Sequence, residues 1–124
     1  MTPEFARFQQ TFNDAVPQGL VAAAAIYHGA LRAKLQRGYT SGDFTTGNVS
    51  ASVQMDAGSQ IGGEWEVAVG TNLMYALYWE MGHQNVFTRR YERVEHWRET
   101  AEEEGDAMAA AFGAVVATRL EAGQ

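Results

Sequence analysis

Apolar residues in the first third of the chain fall at Phe5, Phe8, Phe12, Val16, Leu20, Ala24, Tyr27, Leu31 and Leu35, always three or four positions apart. That spacing lines one face of an α-helix. Thr2-Pro3-Glu4 supplies its start: a hydroxyl that can accept from a free backbone N–H, a proline at the first helical position, and a carboxylate at the positive end of the helix dipole. Pro17 interrupts the sequence but not the phase. The spacing therefore predicts either a kink near Ala15 to Pro17 or two helices nearly in line. The small side chains of Ala22 to Ala25 suit close approach of another helix.

After Arg37 the period is lost. Gly38 to Gly47 is rich in turn formers and reads as a loop of about ten residues, long enough to contact another molecule. No Gly-Lys-Ser/Thr ending marks it as a phosphate-binding loop. Val49, Ala51, Val53 and Met55 then alternate with Ser50, Ser52 and Gln54, and Trp65, Val67 and Val69 alternate with Glu64, Glu66 and Ala68. Period two predicts a pair of strands, joined as an antiparallel hairpin across Asp56 to Gly63. In the segment from Gly70 to His83, Tyr75, Leu77 and Trp79 fit a strand, whereas Tyr75, Tyr78 and Trp79 fit one side of a short helix. From Thr88, as a cap, a long helix is predicted toward Leu120, with Tyr91, Val94, Trp97, Ala101, Met108, Phe112, Val115 and Val116 on one side. Gly105 and Gly113 weaken it by up to about 1 kcal/mol each unless they permit tight packing.

The expected fold is α+β: one domain over residues 1–124, with a small antiparallel β-sheet covered by a long N-terminal helix, kinked near Pro17, and a long C-terminal helix. A chain of 124 residues supports a single core and buries about two thirds of its unfolded surface. So small a sheet leaves open edges, for which oligomerisation is the natural remedy.

Composition narrows the function classes. With 46% hydrophobic and 19% charged residues, wholesale disorder is excluded. No apolar run reaches the ~20 residues of a membrane-spanning helix, and Met1-Thr2-Pro3-Glu4 lacks a secretory signature, so the expected working place is the cytoplasm or something assembled there. The absence of cysteine removes disulfides, thiolate metal sites and a cysteine nucleophile. A net charge of −6 argues against a broad grip on phosphates. Arg89, Arg90, Arg93 and Arg98 are interleaved with Glu92, Glu95 and Glu99 and read as a solvated helix of mixed charge. The run from Glu102 to Asp106 reads as a solvated helix face or a deliberately negative surface.

Chemistry-bearing pairs are few. Glu80 and His83 lie three apart, and Glu92 and His96 four apart on a predicted helix, yet neither pair has a convincing third metal ligand and no HExxH is present. Two-carboxylate hydrolysis would have to recruit from Glu64, Glu66, Glu80 or Glu102 to Glu104, none in a recognisable context. No Gly-x-Ser-x-Gly elbow supports a serine triad, and Ser50 and Ser52 read as the wet face of a strand. Trp65, Trp79 and Trp97 read most simply as core, or else as interface anchors. No cofactor is expected.

Three motifs carry a resemblance. Thr46-Gly47-Asn48-Val49 precedes the first predicted strand. Val69-Gly70-Thr71-Asn72 is followed by Tyr75-Ala76-x-Tyr78 and Glu80-Met81-Gly82-His83. Val86-Phe87-Thr88-Arg89 leads into the last helix. Their order and spacing resemble the small neck proteins of long-tailed phages and phage-like particles, called tail-completion, minor tail or head-tail joining proteins. Family members often have proline before the Thr-Gly turn and in the last link, where this chain has Phe44-Thr45 and Asn85-Val86. The resemblance implies a non-enzymatic virion protein, assembled in the host cytoplasm, that forms a hexameric ring at the head-tail interface. Its partners would be its own copies, the tail tube and terminator proteins, and the head connector or stopper. Viral DNA would pass through an acidic lumen without sequence-specific binding, and no membrane is involved. Thr46, Gly47, Gly70, Asn72, Tyr75, Tyr78, Trp79, Glu80, Gly82 and His83 are the expected subunit or partner interface. Alternatives are another neck ring, such as head closure or tail terminator, and a small enzyme or ligand-binding domain using Glu80 and His83.

Overall fold

The computed structural model describes residues 2–37, 46–56, 58–62, 64–84 and 89–122; side chains at 46–48, 59, 61, 74, 75, 78, 83 and 84 lie outside that description. Its elements run α1 (Pro3–Gln36), α2 (Thr46–Ser52), β1 (Gln54–Met55), β2 (Ser59–Ile61), β3 (Glu64–Glu66), β4 (Val69–Gly70), α3 (Met74–Met81), β5 (His83–Gln84), β6 (Tyr91–Glu92) and α4 (His96–Ala122). Strand β1 pairs with β4, β2 with β3 and β5 with β6, the last two pairs antiparallel. Long terminal helices with small antiparallel pairings make this an α+β chain, as the periodicity predicts. The predicted loop from Gly38 lies outside the described residues up to Thr45, as do the Thr88 cap and the Val86-Phe87 link.

The start of α1 follows the sequence signal. The amide of Phe5 donates to Thr2 Oγ1 at 3.1 Å, and that of Ala6 to the Thr2 carbonyl at 3.0 Å. Pro17 lies within a single helix rather than between two.

Two compact units emerge, the first comprising Met1–Ile26, Met55–Ala68 and Gly105–Gln124, the second Tyr27–Gln54 and Val69–Glu104. In the first, the buried positions are small: Ala15, Gly19, Ala24 and Val116. A Cβ at Gly19 would stand 2.7 Å from a ring carbon of Phe112 and 3.2 Å from its carbonyl oxygen, so the glycine permits α1 and α4 to touch there. Phe5, Phe8 and Phe12 are 55%, 51% and 40% exposed. The helical stripe is real, but its first three members face solvent.

The hairpin of this unit is offset from the predicted one. Its arms pair Ser59 with Glu66, Gln60 with Trp65 and Ile61 with Glu64, so the segment expected to be a connecting loop supplies one arm. Gly62, at φ +59°, provides the left-handed residue a tight hairpin turn requires. At its base, the amide of Asp56 donates to the Ala68 carbonyl, and Asp56 Oδ1 accepts from the amides of Gly58 and Ala68, all at 3.0 Å.

In the second unit, Leu31 and Leu35 are fully buried with Val49, Val53, Ala76 and Trp79, and Tyr27, Val69, Leu73, Val94 and Trp97 pack against them. Here one expectation is corrected: residues 46–52 are helical, not a strand. Val49 and Val53, one turn apart, match Leu31 and Leu35, also one turn apart, and Ala51 is exposed. Ser50 and Ser52 are not a wet face. Ser50 Oγ is buried and donates to the Arg32 carbonyl at 3.1 Å, and Ser52 Oγ donates to the Val49 carbonyl at 2.7 Å. Serine hydroxyls satisfied by nearby carbonyls let this segment pack as a helix despite its β-like alternation.

The C-terminal helix begins at His96, later than predicted, because Tyr91 and Glu92 form a strand against Gln84 and His83. Glu92 and His96 therefore do not share a helical face. The acidic run is partly neutralised: Lys34 Nζ lies 2.8 Å from Glu103 and 3.7 Å from Glu99, and Arg98 Nη1 lies 2.7 Å from Glu102.

Candidate functional site

The segment from Gly70 to His83 is a short exposed connection, then α3, then a strand. A hydroxyl chain fixes its start. Ser52 has one hydroxyl proton, used on the Val49 carbonyl, so across the 2.6 Å contact Thr71 must donate to Ser52 Oγ. Thr71 Oγ1 in turn accepts from the amide of Leu73 at 3.1 Å. Each hydroxyl thus gives one hydrogen bond and receives one, tying the first turn of α3 to α2.

The period that was ambiguous in the sequence resolves as helix because Ala76 and Trp79, three apart, both reach the core. Leu77 and Met81, four apart, stay exposed.

The end of α3 is closed by three donors. Val94 N–H reaches the Trp79 carbonyl at 3.1 Å, Arg93 Nε the Glu80 carbonyl at 3.0 Å, and Tyr91 Oη the Met81 carbonyl at 2.8 Å. Terminal helix carbonyls have no intrahelical donor, and these contacts replace it. Gly82 follows at φ +90°, and a Cβ there would stand 2.0 Å from Tyr91 Oη. The position is thus restricted to glycine by both its backbone and its neighbour.

Glu80 has a defined task. Its Oε1 accepts from the amide of Trp97 at 3.1 Å and its Oε2 from that of Arg98 at 3.2 Å. These are free N–H groups of the first turn of α4, where the helix dipole also favours an anion. Glu95 supplies the carbonyl of the first intrahelical bond, to Glu99 N at 2.9 Å, and its carboxylate binds Arg93 at 2.6 Å and also Arg98. Tyr27 Oη donates to the Trp97 carbonyl at 2.8 Å. Burial, with a further contribution from the Glu80 carboxylate, pushes the Tyr27 phenol up from 10.0 to about 12.

Against α3 lies an open groove of about 430 Å³, lined by Thr71, Asn72, Leu73, Ala76, Leu77, Glu80 and Trp97. Apart from Thr71 and Asn72 at one end and Glu80 at the other, it is apolar. It has the composition of a seat for an apolar group.

The sequence-predicted interface residues are distributed as follows. Thr46 and Gly47 open α2, Gly70 is exposed at the end of β4, and Asn72 is exposed at the groove. Trp79 is 6% exposed and belongs to the core. Glu80 lies at the groove and Gly82 behind it. Tyr75 and Tyr78 are on α3 and His83 on β5, with side chains outside the described residues. Trp97, Leu73 and Leu77 complete the groove, and only their adjacency to α3 in the fold reveals it. Among the described residues, no three His, Asp or Glu side chains gather as a metal site, and no helix is long and apolar enough to cross a membrane.

Searches of curated proteins and of solved structures return no match to this chain. A family model described as "Bacteriophage HK97-gp10, putative tail-component" matches residues 1–82, from the start of α1 through the glycine that ends α3. The chain belongs to the HK97-gp10-like family of phage tail components.

Proposed function

We propose that this structural tail component forms a hexameric ring at the head-tail interface, completing the tail and joining it to the head connector, with DNA passing through an acidic lumen. Family membership supports the virion role. The observation that carries the assembly reading is the phenylalanine face of α1: Phe5, Phe8 and Phe12 leave three aromatic rings at least 40% exposed on one helix face, a patch that marks an interaction surface. Glu80 serves the same reading by organising the fold around the groove, since both of its oxygens hold the start of α4. A net charge of −6 favours a lumen that repels phosphate and lets DNA slide.

The test is the mass of the assembled species with and without tail tubes. Six copies of 13.6 kDa give about 80 kDa, as a free ring or as a ring built only on the tail. A stand-alone dimer that ignores tail tubes would refute the reading. In parallel, Asn72→Ala, at an exposed position of the groove, should lower particle yield and leave the free chain folded.

A further inference from the structure

We draw no further inference here: the strongest candidate, the open groove of about 630 Å³ that Asn13, Asp14 and Val16 of α1 form with Gln60, Glu64 and Trp65 of the β2–β3 hairpin, has an exposed polar lining in which the Asp14 carboxylate already accepts from Gln10 Nε2 at 2.8 Å, and nothing in the structure shows what fills it.

Discussion

In the unit built from residues 27–54 and 69–104, the side chains that reach the centre are large: Leu31, Leu35, Val49, Val53 and Trp79. In the unit built from residues 1–26, 55–68 and 105–124, they are Ala15, Gly19, Ala24 and Val116, and Phe5, Phe8 and Phe12 stand outside. Both halves of α1 carry the same apolar stripe, so periodicity does not separate them. What separates them is the neighbour. The last turns of α1 bury Leu31 and Leu35 in one core with Val49 of α2 and Val53 just beyond it. Midway along α1, Gly19 takes the ring of Phe112 from α4, whereas the first turns leave Phe5, Phe8 and Phe12 exposed. The second unit buries bulky residues around Trp79 and leaves Leu77, Met81 and Tyr91 exposed; the first buries small ones and leaves Phe5, Phe8 and Phe12 exposed.

The sharpest way to break this contrast is Trp79→Ala. Removing a fully packed indole should cost about 3–5 kcal/mol, read as a large drop in the urea midpoint; a small change would mean the core of that unit is not where Trp79 sits. Next is Gly82→Ala. A left-handed backbone and the collision with Tyr91, which also supplies the Met81 carbonyl with its donor, predict a loss of about 2–3 kcal/mol by the same measurement.

Glu80→Ala should cost about 1–2 kcal/mol by freeing the Trp97 and Arg98 amides, and should show as faster hydrogen exchange confined to the first turn of α4. Tyr27 gives a milder, pH-dependent effect. Its phenol is held protonated in the fold, so its contribution to stability is complete below pH 10 and is lost as pH rises from 10.0 toward about 12. For a half-buried group, solvent screening reduces that contribution to about 1 kcal/mol. Unfolding of wild type and Tyr27→Phe at pH 9 and above 11 should converge as the pH rises. Smallest is Phe8→Ala, expected within about 0.5 kcal/mol of wild type as a free chain. A loss comparable to that of Trp79→Ala would show that the phenylalanine face is covered within the chain.

The α+β class, the Thr2 cap, the course of α1 through Pro17 and a hairpin near Trp65 were legible because each rests on local chemistry: a hydroxyl at the right offset, a phase, a glycine turn. The helix at Thr46–Ser52 was not, since its serines alternate with apolar residues and only the Arg32 carbonyl and the Thr71 hydroxyl explain their burial. The start of α4 was hidden for a related reason. The residues that stop the earlier turn, Tyr91 and Arg93, act on carbonyls of α3 ten and thirteen positions away. At the candidate site, the prominence of Glu80 and Gly82 could be read from sequence, but their tasks could not. A carboxylate and a glycine look alike whether they serve a partner or a helix end, and only the placement of Trp97, Arg98 and Tyr91 decides it.

Glu80 has mechanical meaning as well. Its side chain grips the beginning of one helix while its backbone oxygen is held by Arg93 from the segment leading into that helix. Tilting α3 would tear both attachments at once, so a push on α3 is transmitted into α4 rather than absorbed between them. The walls of the groove therefore keep their spacing when α3 is pushed.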